Sequence, residues 1–273
     1  MDSRTKFALL LAKSPVHGLL RRTHRRLSRY IDLAENWNNG DQSTNGEAFL
    51  IRKVAPKLRV VFDIGANLGD WSSLVLAVNP ICKVYAFEAS PATFANLKKR
   101  YSGHSQVKLL ETGIGDREGS LSFHDHGENS GLSSFVSRER SIGLSAKNIV
   151  EARLTTVDAV REKNRLEHID FVKVDTEGYE MAVLRGMISS FKARKISMVQ
   201  FEYGGTWLDA HETLANANEL LREYGYILYR LRRDALEKID YDCRQHECFK
   251  YSNFIAAESL EIVSQWNIPL IQS

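Results

Sequence analysis

Beyond Arg59 the chain alternates short apolar runs with stretches in which apolar residues recur at helical spacing. Val60-Val-Phe-Asp-Ile-Gly65 is β-branched and aromatic and closes on a glycine, the form of a buried strand entering a tight turn. Trp71, Leu74, Val75 and Val78 then follow at i, i+3, i+4 and i+7, so one helical face is apolar. Lys83-Val-Tyr-Ala-Phe-Glu88 reads as the next strand, followed by Ser90 as an N-cap, Pro91 at the first helical position, and Phe94, Leu97 and Tyr101 on one face. Further strands are expected at Val107 to Glu111, at Ser120 to His124 as a hairpin strand after Gly119, and at Phe171 to Asp175, Met198 to Glu202, Ile227 to Leu231 and Asn253 to Ala257. Helical patterns lie near 180–191 and 211–224, the second closed by Gly225. Strand and helix in this alternation predict a doubly wound α/β sheet with helices on both faces. Residues 125–150 show neither period and read as a long polar loop.

Upstream the pattern differs. Residues 5–35 read as basic amphipathic helix, with Leu9, Leu20 and Leu27 among arginines and a break at Pro15-Val-His-Gly18, and a second helix is expected over Ser43 to Ala55. We divide the chain into a basic helical extension, 1–42, and a domain, 43–273, long enough for one sizeable core.

Charge sharpens this division. Residues 1–30 hold eight Lys or Arg against Asp2, a local +7 that leaves −4 for the rest of a chain whose formal charge is +3. A mildly acidic body lacks the footprint of a nucleic-acid binder, so no nucleic-acid partner is expected. The extension suits an anionic membrane surface or a partner enzyme, or packing on the body. The run Phe7 to Ala12 is too short for a signal-peptide core or a membrane span. Three cysteines fit a reducing compartment, so the expected location is cytoplasmic, with the extension able to hold the protein at the inner membrane surface.

The candidate chemistry lies at predicted strand ends. In Asp63-Ile-Gly-Ala-Asn-Leu-Gly69, Gly65 permits backbone approach to a ligand, Gly69 a close turn, and the next helix N-terminus can meet a carboxylate. With Asp63 to pair an ammonium, this turn can hold the methionine moiety of S-adenosylmethionine, and it lacks the three-glycine spacing of a dinucleotide fingerprint. Glu88, 25 residues on, can take both ribose hydroxyls, and Asp116 is placed to meet an adenine amino group or to serve as a turn residue. Asp175 and Glu177 end a central strand and Glu202 ends the next, forming an acidic trio at the edge where ligands of such sheets bind. The trio can act as base or as cation seat, and the spacing favours the metal-free version because it does not supply magnesium's near-octahedral set. Glu177 and Glu180 also fit as acids favoured by a helix dipole. His126, in the polar loop with His124, Ser130, Ser133 and Ser134, is the competing base, and that loop is placed to cover an acceptor. Tyr203 and Trp207, beside the Gly204-Gly205 rim, could stack on a sugar face. Cys243, His246 and Cys248 are too few for structural zinc.

The run Val61 to Gly69, Phe87-Glu88, Gly113 to Gly119, Thr155-Thr-Val-Asp158 and Ile169 to Gly186, in that order, resembles the FkbM-type methyltransferases over about residues 43–257. The resemblance implies a class I, Rossmann-like fold, S-adenosylmethionine as methyl donor, and a hydroxyl acceptor on a sugar, glycolipid, polysaccharide or polyketide. It carries Asp63, Gly65, Asn67, Gly69, Glu88 and Asp116 over as cofactor residues. Protein, lipid or small-metabolite acceptors, or a cofactor-binding scaffold without turnover, are the alternatives, because acceptor pockets live in loops that the core motifs do not specify.

Overall fold

A computed structural model describes residues 1–14, 16–139 and 143–271. Helices α1 (Ser3–Ala12) and α2 (Val16–Ala34) precede the body, which opens with α3 (Glu47–Val54). Strand β1 (Val60–Ile64) leads into α4 (Asp70–Val78), β2 (Lys83–Glu88), α5 (Pro91–Arg100) and β3 (Val107–Glu111). There follow β4 (Gly113–Ile114), β5 (Gly119–Asp125), β6 (Asn148–Thr155), β7 (Ile169–Val174), β8 (Ile196–Tyr203), β9 (Ile227–Leu231), β10 (Leu236–Lys238), β11 (Ser252–Ala257) and β12 (Leu270–Ile271). The large sheet has the spatial order β12-β10-β9-β11-β8-β7-β1-β2-β3. It is parallel from β8 to β3, and β11 runs antiparallel between β8 and β9. This is the doubly wound, Rossmann-like arrangement that the alternating pattern predicts.

The central strands β1, β2, β7, β8 and β11 are buried on both faces, which is why they read as apolar runs. Phe62, Val172, Val199 and Phe201 face the helices at Glu180–Arg185, Ile188–Lys192 and Leu214–Glu223. Val61, Val84, Phe171, Met198 and Ile255 face α3, α4 and α5 through Leu50, Ile51, Trp71, Val75 and Leu97. Side chains alternate between these two cores along each strand, and both cores exclude water.

Three expectations need correction. The polar loop ends at Asn148, where β6 begins. β6 pairs antiparallel with β5 and parallel with β4 in a separate three-stranded sheet. Only Ala152 and Leu154 of β6 are buried, so its apolar signal is half that of a central strand. Residues 140–142 of the loop lie outside the described residues. The expected helical break also shifts: α2 starts at Val16 and carries Gly18 inside it, and Pro15 lies outside the described residues. The second helix starts at Glu47, not Ser43, because Asp41 accepts from Ser43 N in a local turn that competes with helix, and Gly46 turns with φ +102°.

Candidate cofactor and acceptor site

The carboxyl ends of β1, β2, β7 and β8 converge, as the chain's parallel order requires. After β1 the backbone passes through the left-handed region at Gly65 (φ +77°), Asn67 (φ +48°) and Gly69 (φ +80°). A Cβ on Gly65 would lie 1.8 Å from the Asp175 carbonyl oxygen, so this glycine lets the two strand ends abut. Glu88, only 7% exposed, accepts from Asn67 N at 2.9 Å through one oxygen and from Ser90 N at 2.8 Å through the other. Burial pushes its carboxyl up to about 7 against the pull of those backbone donors. Gly65, Asn67 and Glu88 line a cleft whose apolar wall includes Ile64, Phe87, Ile114, Phe123 and Phe135. Ser130, Gly131 and Ser133 cover the same cleft, so the polar loop closes over it.

Asp63 does not line this cleft. Its carboxylate is wholly buried, takes the Ser72 hydroxyl at 2.6 Å and lies 4.0 Å from Lys173 Nζ, so its cation belongs to the chain itself. Asp116 is exposed and also stands outside the lining.

A second, polar cavity adjoins the first at Gly65, Asn67 and Asp175. Lys173, Glu47, Trp71, Glu202 and Tyr251 are among its walls. The Lys173 ammonium bonds Asp175 at 2.8 Å; burial would push it down, but Asp175, Asp63 and Glu47 outweigh burial and hold it above its usual range. Glu202 bonds the Tyr251 hydroxyl at 2.6 Å. Burial first, then Asp175 and Glu177, drive the Glu202 carboxyl well above the usual carboxylate range. Trp71 Nε1 and Asn67 Oδ1 are buried and make no hydrogen bond among the described residues.

The acidic trio does assemble. Oxygens of Asp175, Glu177 and Glu202 lie within 4.8 Å of one another, the one such group with metal-binding capacity among the described residues. Glu177 reaches its place through a left-handed backbone (φ +55°) followed by Gly178 (φ +105°), and it pairs with Arg138 at 2.6 Å. Glu180 instead accepts from Thr176 N and Gly178 N, fixing that turn from inside the protein.

His126 is buried beside Arg138, Asp125 and Lys147, and it lines neither cavity. Burial lowers its pKa. Tyr203 and Trp207 are fully buried, with Trp207 Nε1 bonded to the Glu202 carbonyl at 2.9 Å, so neither offers a face to a sugar. The pattern made both look like rim residues because aromatic side chains in a Gly-rich turn carry no mark of burial. Lys173, Glu47, Arg138 and Tyr251 had no motif of their own. Only Lys173 left a trace in the sequence, as a cation in an otherwise apolar strand.

The family model described as Methyltransferase FkbM domain matches residues 63–228, from β1 into β9. The chain belongs to the FkbM methyltransferase family. Hexuronic acid methyltransferase AglP of Haloferax volcanii is 24% identical over 192 residues, 68% of this chain and 76% of that protein. 2-O-methyltransferase NoeI of Sinorhizobium fredii is 26% identical over 139 residues, 46% of this chain and 56% of that protein. Methyltransferase 1 of Beauveria bassiana is 28% identical over 143 residues, and the match spans 57% of its length. The crystal structure of an FkbM methyltransferase from Methylobacillus flagellatus aligns over 72% of this chain and 43% of that one, with TM-score 0.45 and 13% identity.

The cofactor of this FkbM chain is S-adenosylmethionine, and the cavities fit it. The apolar wall suits an adenine, the buried Glu88 carboxylate two ribose hydroxyls, and the orphaned Trp71 N–H a carboxylate. The acidic cluster suits the positive sulfonium and ammonium ends.

Proposed function

We propose that this FkbM chain methylates a hydroxyl of a sugar-type acceptor, with Glu202 taking the hydroxyl proton. The observation that carries the reading is the Glu202 carboxyl, crowded by Asp175 and Glu177 at the sheet edge where the two cavities meet. Burial and crowding raise its proton affinity above that of an ordinary carboxylate, the direction a general base needs. The cofactor supplies a methyl group on a positively charged sulfur, a leaving group that departs neutral. Glu202 accepts the acceptor's proton as its oxygen pair forms the new bond to carbon. The Tyr251 hydroxyl, donating at 2.6 Å, orients the Glu202 carboxylate, and Arg138 holds Glu177 beside it. The names of two relatives, one for hexuronic acid and one for a 2-O position, support a sugar hydroxyl as acceptor.

Uronic-acid and neutral-sugar acceptors tested with labelled donor should yield a methyl ether. Glu202→Gln should lower kcat by about 10²-fold or more while the donor Kd stays within about twofold. Wild-type turnover in Glu202→Gln would dismiss Glu202 as base. Chelation should leave turnover intact. Loss that added magnesium restores would make the trio a cation seat instead.

A further inference from the structure

Helix α2 is apolar along one side and arginine-rich along the other, with Arg26 at the border and Leu33 among the arginines. Val16, Leu20, Thr23, Leu27 and Ile31 recur at i, i+4, i+7, i+11 and i+15 along one stripe, flanked by Leu19 and Tyr30. Arg21, Arg22, Arg25 and Arg29 occupy the opposite side, all exposed and none in an ion pair among the described residues. Among the described residues nothing in the body covers the stripe: no residue of α2 is buried, and Leu27 is 57% exposed. The described polar contacts that tie the helix to the body lie at its C-terminal end: Asp32 to Lys250 at 2.6 Å, Arg233 to the Leu33 carbonyl at 2.9 Å, and Glu35 just beyond it to Arg232 at 2.7 Å.

We infer that α1 and α2 dock this FkbM chain on an anionic lipid surface, with the apolar stripe of α2 in the acyl boundary and its arginines among the headgroups. The shape is that of an interfacial helix, apolar on one side and arginine-rich on the other. Charge selects the occupant. A second copy packed on the stripe would leave the arginines unpaired in solvent, whereas anionic headgroups at the boundary of the stripe complement them. Helix α1 has no such division of faces, but its exposed Phe7, Leu9 and Leu10 with Arg4 and Lys6 add apolar and basic surface beside α2.

The attachment gives the docked helix a consequence at the site. Past Glu35 the chain bonds Asn38 N to the Tyr251 carbonyl at 2.8 Å, and Gly40 and Gln42 line the polar cavity. The helix therefore runs straight into the wall of the cavity that holds Glu202, and docking sets that wall beside the membrane.

Vesicle co-sedimentation of the full chain tests this, using phosphatidylcholine vesicles with and without phosphatidylglycerol. We expect binding to the anionic vesicles only. It should weaken about tenfold or more with Arg21, Arg22, Arg25 and Arg29 changed to Gln, and as much with Leu20→Glu plus Leu27→Glu. Both variants should keep donor affinity, which shows that the body is folded. Wild-type protein that stays in the supernatant with anionic vesicles would overturn the inference. So would a wild-type dimer in solution that Leu20→Glu plus Leu27→Glu makes monomeric without any vesicle binding, since the stripe would then face a second copy.

Discussion

At the scale of single residues, the most informative group is Glu88. Burial pushes its carboxyl up to about 7, and only the ionised form offers both oxygens as acceptors to a pair of ribose hydroxyls. Donor affinity should therefore fall as pH drops through about 7, approaching tenfold per pH unit below it, and Glu88→Gln should bind weakly with a flat profile. Calorimetry at about pH 6 and about pH 8 checks this. Asp116 stands exposed outside the cleft, so Asp116→Ala should leave donor Kd within about twofold in the same assay. Lys173 is the residue that sequence reading undervalued. An Asp ahead of a Gly turn looks like a ligand group whether its cation comes from the cofactor or from a strand across the sheet, and only the register of β1 against β7 reveals that Asp63 sits opposite Lys173. Lys173→Met strands Asp63, Asp175 and Glu47 around a vacated cation. It should cost about 3 kcal/mol or more in urea denaturation, with part regained when Asp63→Asn is added.

At the scale of elements, legibility followed burial. Strands enclosed on both faces, such as β1, β7 and β8, announced themselves as apolar runs, and α4 and α5 by their periodicity and, for α5, by Ser90, whose hydroxyl accepts from Thr93 N. β6, with one buried face, and the short strands β10 and β12 at one end of the sheet did not. The turn after β1 was legible as a Gly turn from strand to helix, but what its first glycine does was not: Gly65 makes room for the Asp175 carbonyl. Gly65→Ala should therefore disturb the seam between β1 and β7, lowering the unfolding midpoint as well as weakening donor binding. A binding defect with an unchanged midpoint would limit the glycine to ligand approach.

At the scale of the whole molecule, the site concentrates carboxylates whose proton affinity the fold raises. Glu180 is pushed up to about 6 and Glu88 to about 7, while Glu202, Glu47 and Asp63 are all raised, in each case chiefly by burial. A carboxyl raised above its unfolded value of about 4.5 contributes stability that is complete below that value and is lost as pH climbs through the folded one. Free of cofactor, the protein should thus be more stable near pH 5.5 than near pH 8, by about 2 kcal/mol, and saturating S-adenosylmethionine should narrow the gap. Thermal melts at the two pH values, with and without cofactor, measure both effects.

The antiparallel run of β11 has one more consequence. Because its first residues lie beside the carboxyl end of β8, Ser252 opposite Tyr203 and Asn253 opposite Glu202, it delivers Tyr251 to the base from a stretch well past residue 228. The opposite wall, Gly40 and Gln42, comes from well before residue 63. The family match runs between those two limits. On the proposed reading the acceptor cavity thus combines Glu202, from inside the matched block, with Tyr251, Gly40 and Gln42 from its flanks. Relatives that share the block but not the flanks need not share a substrate, and grafting residues 36–46 and 247–253 from one onto another is the exchange that should carry acceptor preference with it.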